Sequence, residues 1–161
     1  MLGYVCKYTP MELFEAMDTE ITRLEPSVTD FNHADTLMHA NICSYTKAVL
    51  EDVMEHDYEG VILTTCCDSI RRLYDTLKSQ FPDKFFFLLD IPRKFNDFAV
   101  TLYERQLKQM LTEYEAFSGK TLDLKRFVSM MQNKAALKKQ ENTRMSASAA
   151  SEKGNGQKLN I

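Results

Sequence analysis

Three of the four cysteines stand at positions where a thiol can bind metal. Cys66 and Cys67 are adjacent and follow the apolar run GVILT, directly before a segment with helical periodicity. Cys43 lies near the start of an earlier helical segment. A helix N-terminus carries partial positive charge, which lowers the pKa of a nearby thiol and favours the metal-binding thiolate. From these positions and their spacing alone, buried free thiols that pack as small apolar groups are favoured, and a metal or iron–sulfur site is the alternative.

The spacing of the cysteines excludes two common kinds of metal site. The chain has no pair of Cys-x-x-Cys elements, and His33, His39 and His56 do not complete a zinc ligand set. The compact cysteine run of bacterial ferredoxins is also absent from the sequence. Adjacent cysteines rarely bind one ion together, so we expect one of Cys66 and Cys67 to be a ligand and the other to pack.

The pattern along the chain predicts that an α/β fold with a small parallel sheet positions these thiols. The segments GVILTT and KFFFLLDI are continuous apolar runs, typical of strands buried on both faces, and MLGYVCKY predicts a first strand. Helical segments alternate with these strands, which favours right-handed crossovers. Ligands of such sheets bind at the carboxyl ends of the strands. We expect four candidate residues at that edge: Cys6, Cys66, Cys67 and Asp90.

Capping and periodicity place the helices around this sheet. The first helix is predicted after Thr9 as N-cap, with Pro10 as the first helical residue and Glu12 completing a capping box. Asp68 is predicted to cap the helix that follows the adjacent cysteines. Residues 18–38 predict a loop with at most a short strand at 21–24. Further helices are predicted over residues 38–56, 96–117 and 122–140.

The predicted long helix over residues 96–117 ends at Ser118–Gly119. Its inward face is expected to carry Val100, Tyr103, Leu107, Met110, Leu111 and Tyr114. After residue 141 the sequence is small and polar, with almost nothing to bury. We therefore predict one α/β domain over residues 1–141 and a disordered tail over 142–161.

Composition and charge exclude several classes of partner. The formal net charge is −3, and no segment forms the concentrated basic face that nucleic-acid binding requires. The longest apolar stretch is strand-sized, and the N-terminus lacks the layout of a signal peptide. We therefore expect a cytoplasmic protein with reduced thiols and with no nucleic-acid or membrane partner.

Two polar residues near the cysteines have both a chemical and a structural interpretation. His39 precedes Cys43 by four residues and is either an acid–base group or a surface histidine. Asp90 follows an apolar strand and either lines the site or caps the next turn. The sequence leaves both alternatives open.

Four segments in order resemble one protein family: LGYVCKYTPMELFEA, NICSYTKAVLE, GVILTTCCDSIRRLYD and FFFLLDIPRK. They are similar to the 2-hydroxyacyl-CoA dehydratase component D family, which includes benzoyl-CoA reductase subunits and double-cubane cluster proteins. The resemblance runs to about residue 135 and includes SGKTLDLKRFVSMMQN. It implies a flavodoxin-like domain that holds part of an oxygen-sensitive [4Fe-4S] cluster.

The resemblance also implies ligands, partners and chemistry. Cys43 and Cys67 match the cluster ligands, Cys66 is the alternative to Cys67, and Cys6 is expected to lie near the cluster without binding it. Arg71 and Arg72 follow the second ligand, either tuning the cluster or facing solvent. Members of the family receive single electrons from an ATP-hydrolysing activator protein and act on acyl-CoA thioesters.

The sequence departs from the family pattern in one respect. Family members add a second α/β domain that supplies a further cysteine ligand and part of the active-site pocket. We therefore expect a truncated or split dehydratase-like protein that works with a second dehydratase-like subunit or domain. Two alternatives are an ATP-dependent double-cubane-type reductase of small molecules and a cluster-free, non-catalytic fragment.

Overall fold

A four-stranded, all-parallel sheet organises the first of two units in the chain. The computed structural model describes residues 1–28 and 30–154, with side chains described as far as residue 140. The chain divides into a unit from Met1 to Leu122 and a second unit that begins at Asp123. The strands are β1 (Leu2–Tyr4), β2 (Ile21–Arg23), β3 (Gly60–Thr64) and β4 (Phe85–Leu89). Their order β2-β1-β3-β4 matches the flavodoxin-like arrangement. The predicted α/β fold class is confirmed.

Five helices accompany the strands in the first unit, and one forms the second. They are α1 (Met11–Glu15), α2 (Asn32–Leu37), α3 (Ser44–Glu55), α4 (Asp68–Gln80), α5 (Asp97–Ser118) and α6 (Leu124–Gly154). No helix in the described part of the chain has the length and apolar character needed to cross a membrane. The predicted domain boundary at residue 141 and the tail over 142–161 stay predictions, and residues 155–161 lie outside the described part.

Strand β3, one of the two inner strands, forms the buried centre of the sheet. All five residues of β3 are buried, and Val61, Ile62 and Leu63 have no exposed surface. The partner strand β4 pairs with β3 from Gly60↔Phe85 to Thr64↔Leu89. A Cβ atom at Gly60 would lie 1.9 Å from the Phe85 carbonyl oxygen. Glycine at this position therefore permits the close approach of the two backbones.

The predicted caps of the two helices that follow β1 and β3 are wrong. Helix α1 begins at Met11 with Pro10 as N-cap, and the buried Thr9 hydroxyl has no hydrogen-bond partner among the described residues. Helix α4 has Cys67 as its N-cap, so that Asp68 is the first helical residue. In both cases the cap lies one residue from the predicted position.

The region between β2 and β3 also differs from prediction. Residues 32–37 form α2, where a loop was predicted, and α3 begins at Ser44, six residues after the predicted start. Helix α2 depends on a contact with α3: the buried Glu51 carboxylate accepts a hydrogen bond from the Ala34 N–H and contacts His33 Nδ1, both at 2.7 Å. This tertiary contact is not visible in the local pattern.

Helix α5 follows the prediction closely at its ends and less closely along its face. The Asn96 side chain accepts a hydrogen bond from the Ala99 N–H at 2.8 Å, and Gly119 ends the helix with φ 69°. Met110 and Tyr114 are fully buried, as predicted, whereas Val100 is 48% exposed. The prediction for Val100 is wrong, whereas the C-terminal half of α5 packs into the core, where Phe14 and Phe85 meet the Tyr114 ring edge-on.

Candidate functional site

The carboxyl edge of the sheet leads directly into the candidate site. Strand β3 ends at Thr64, and Cys66 and Cys67 follow in the turn before α4. The Cys66 N–H donates to the Thr64 carbonyl oxygen at 2.7 Å, which tightens this turn. Across the edge, the Thr65 hydroxyl donates a hydrogen bond to the Asp90 carboxylate after β4. Asp90 therefore links two strand ends, a role that neither of its predicted alternatives described.

Cys43 is the N-cap of α3, and its surroundings favour the thiolate. Its Sγ atom lies 3.2 Å from Oγ1 of Thr46, three residues along the helix. The Thr46 hydroxyl, followed by smaller contributions that include the Ser69 hydroxyl, lowers the pKa of the Cys43 thiol, although partial burial opposes the shift. Ser69 belongs to α4. The influence of Ser69 shows that Cys43 lies beside the first turn of α4.

Cys67 occupies the same position in α4 that Cys43 occupies in α3. Both residues are N-caps with extended backbone, both side chains are exposed, and neither makes a side-chain capping hydrogen bond. The first N–H groups of each helix therefore lack a cap from these side chains. Free N–H groups at a helix N-terminus stabilise an anion placed there.

Cys66 differs from its neighbours in its electrostatic surroundings. Burial raises the pKa of the Cys66 thiol, the Thr64 hydroxyl acts in the opposite direction, and Cys67 and Cys6 add to the increase. Cys66 and the half-buried Cys6 both line a cavity of about 240 Å³, together with Tyr45 and Arg23. This environment favours the neutral thiol at Cys66, in contrast to Cys43.

The remaining candidate residues from the sequence face solvent or have simple structural roles. Nδ1 of the exposed His39 accepts a hydrogen bond from the Asn41 N–H at 3.2 Å, within the turn before α3. Arg71 and Arg72 are exposed on α4, as the solvent-facing alternative predicted. Sequence reasoning did not identify Thr46 or Ser69 as part of the site. A hydroxyl three residues after Cys43 and two after Cys67 is the pattern that could have indicated them.

The donor set fits a shared cluster only in part. Within the described residues, no group of three or more histidine, cysteine, aspartate or glutamate side chains is placed to hold a metal ion. Iron–sulfur clusters ordinarily take four cysteine ligands. The two capping thiols, Cys43 and Cys67, have the required chemistry: both are exposed sulfur donors at helix N-termini. They fit as a partial ligand set, and their role as ligands stays a prediction.

Comparison with known proteins gives a family match that covers most of the chain. A family model described as 2-hydroxyglutaryl-CoA dehydratase, D-component, matches residues 6–153. The matched range contains all four cysteines and the strands β2, β3 and β4, and it begins after β1. Comparison with the curated proteins gives no match.

Proposed function

We propose that this chain, which belongs to the 2-hydroxyglutaryl-CoA dehydratase D-component family, provides part of the ligand set of a [4Fe-4S] cluster in a dehydratase-like enzyme. The substrate class proposed is an acyl-CoA thioester, and the proposed location is the cytoplasm. When bound, the cluster supplies one-electron chemistry that amino-acid side chains do not perform. The observation that supports the proposal most strongly is the matching position of two exposed cysteines, Cys43 and Cys67, as N-caps of adjacent helices.

The residues of this chain have three tasks in the proposed site. Cys43 and Cys67 donate thiolate sulfur, and the Thr46 and Ser69 hydroxyls favour the thiolate form of Cys43. The N–H groups in the first turns of α3 and α4 stabilise negative charge on the bound group. Burial raises the pKa of the Cys66 thiol and favours its neutral form, and Cys66 packs beside the site.

The proposed cluster needs ligands from outside this set of residues. Two thiols are fewer than the four that such clusters ordinarily take. We propose that a second dehydratase-like domain or subunit supplies the others, and that an ATP-hydrolysing activator protein delivers the electrons. The exposure of Cys43 and Cys67 supports this arrangement because it leaves both sulfur atoms accessible to a second protein surface.

A cluster-free, non-catalytic domain is the second candidate function. It is favoured by the absence of any group of three or more potential metal ligands in the described residues. In that case the four cysteines remain free thiols, as the structure has them. The domain would then act by binding a partner and would have no redox role.

Anaerobic purification of the full chain, followed by reconstitution with iron and sulfide, separates the two candidates. With dithiothreitol present throughout to supply the ligands that a second domain or subunit would provide, the proposal predicts that iron and sulfide bind in near-equal amounts and remain bound through gel filtration. A matched sample handled in air is the control, and it is expected to lose both elements. A protein that stays colourless and metal-free after anaerobic reconstitution would contradict cluster binding and support the cluster-free domain.

A further inference from the structure

The two proposed ligands of this chain are half of an ordinary ligand set. Cys43 and Cys67 are exposed thiols, and iron–sulfur clusters ordinarily take four cysteines. Among the described residues, no group of three or more potential ligands is placed to hold a metal ion. A contact between two copies of one chain about a two-fold axis presents every residue of the contact surface twice. Such a contact turns two exposed thiols into four.

Cys43 and Cys67 lie on one local surface, as a contact about a single axis requires. They are the N-caps of α3 and α4, and these two helices pack against each other. The pKa of the Cys43 thiol is lowered by the Thr46 hydroxyl and, to a smaller degree, by the Ser69 hydroxyl in the first turn of α4. One patch of the molecule can therefore bring both thiols to the same axis.

The charged side chains beside Cys67 are of both signs and have no partner within the described part of the chain. Asp68, Arg71 and Arg72 lie in the first two turns of α4, and all three are exposed. None of these side chains takes part in a hydrogen bond or an ion pair with another described residue. A two-fold contact places a surface opposite itself, so a surface with both signs of charge can pair with its own copy.

An exposed aromatic ring lies close to Cys43. Tyr45 follows Cys43 by two residues, is 46% exposed, and lines the cavity of about 240 Å³ together with Cys66. Tyrosine is enriched at protein–protein interfaces relative to the rest of the surface. A second protein surface over these helix N-termini would remove this ring from water, which favours association.

We propose that the second dehydratase-like subunit is a second copy of this chain, and that Cys43 and Cys67 of both copies hold one [4Fe-4S] cluster between them. This inference rests on the proposed function, since it names the source of the two missing ligands. Asp68 of each copy pairs with Arg71 or Arg72 of the other copy, and the contact covers Tyr45.

Anaerobic native mass spectrometry of the full chain after reconstitution with iron and sulfide tests the proposal. One sample contains a phosphine reductant and no added thiol, and a second sample contains dithiothreitol. In the sample without added thiol we expect two chains with one cluster, which is about two iron atoms per chain.

The two samples separate failure of this inference from failure of the proposed function. If a cluster binds only to a single chain, or only when dithiothreitol is present, the second copy does not supply the ligands and the inference is wrong. The proposed function then still stands, because the chain holds a cluster whose other ligands come from elsewhere. If neither sample contains a cluster, both are wrong.

Charge reversal tests whether the two copies meet at the start of α4. Asp68→Lys leaves only cations among the three charged side chains, and Arg71→Glu/Arg72→Glu leaves only anions. Each variant alone should form about tenfold fewer cluster-bridged dimers than the wild type, because like charges then face each other. An equal mixture of the two variants should restore dimers that contain one chain of each. The control Arg105→Glu/Lys108→Glu reverses two charges on α5 and should dimerise as the wild type does.

Circular dichroism checks that every charge variant is folded. Equal dimer yields in the α4 variants and the α5 control would overturn the proposed contact. Failure of the mixture to restore dimers would do so as well.

Discussion

Cys43 and Cys66 differ in how readily they ionise, although both are exposed cysteines at the same edge of the sheet. The Thr46 hydroxyl, 3.2 Å from the Cys43 sulfur, lowers the pKa of the Cys43 thiol, and the Ser69 hydroxyl makes a smaller contribution. The Cys66 thiol faces the cavity that it lines with Cys6, where burial raises its pKa. Metal binds the thiolate, so the lowered pKa makes the metal-binding form of Cys43 more available than that of Cys66.

The first prediction concerns the pH at which these two thiols react. In the reduced, metal-free protein, the lowered pKa of Cys43 means that its thiolate forms at lower pH. The raised pKa of Cys66 means that its thiolate forms at higher pH. We therefore expect iodoacetamide to alkylate Cys43 at lower pH than Cys66, as measured by peptide mass spectrometry.

Removal of the Thr46 hydroxyl should change the pH profile of Cys43 alkylation and leave the pH profile of Cys66 alkylation unchanged. Thr46→Val keeps the shape of the fully buried side chain but removes the 3.2 Å contact with Cys43. The Cys43 profile should move to higher pH and the Cys66 profile should not move. Thr101→Val, which removes a hydroxyl bonded to a carbonyl of its own helix, is the control. Identical profiles for Cys43 in wild type and Thr46→Val would contradict this explanation of the pKa.

At the scale of elements, the pairing of β3 with β4 fixes where Cys66 and Cys67 emerge. That pairing depends on Gly60, where the Phe85 carbonyl oxygen leaves no room for a Cβ atom. Gly60→Ala should therefore lower the free energy of unfolding by about 2 kcal/mol or more, as expected for overpacking against a backbone that cannot move aside. Urea denaturation followed by circular dichroism measures the effect.

Gly3→Ala is the matched control for this substitution, because Gly3 lies in the adjacent strand β1. A Cβ atom there would meet only the Leu24 side chain, at 3.2 Å, and that side chain can shift. Gly3→Ala should therefore lower the free energy of unfolding by less than Gly60→Ala does. An equal or larger loss of stability in Gly3→Ala would show that backbone approach at Gly60 is not the constraint.

The elements that sequence reasoning predicted are those whose signal is local. The apolar runs of β3 and β4, and the break at Ser118–Gly119 that ends α5, indicated their structures directly. Helix α2 could not be predicted, because its support comes from Glu51 on α3. The cap of α4 was assigned to Asp68 because aspartate is a better N-cap than cysteine in isolation, whereas the turn after β3 places Cys67 there.

At the scale of the whole molecule, the sequence predicted which edge of the sheet carries the candidate cysteines but not what surrounds them. The parallel order of the strands brings Cys6, Cys66 and Cys67 to the carboxyl edge, as expected. A cavity between Tyr8 and α5 was not predicted, since it depends on how the turn after β1 meets the start of that helix. Such contacts between distant segments have no signature in local spacing.

The central claim is that Cys43 and Cys67 together hold a cluster that a second domain or subunit completes. Its most direct test is the iron and sulfide content of single variants after anaerobic reconstitution in dithiothreitol, whose thiols stand in for the ligands of the second domain or subunit. We expect Cys43→Ala and Cys67→Ala each to lose nearly all bound iron and sulfide, and Cys6→Ala and Cys66→Ala to retain both. Equal retention in all four variants would contradict the claim, as would loss of iron in Cys66→Ala with full retention in Cys67→Ala.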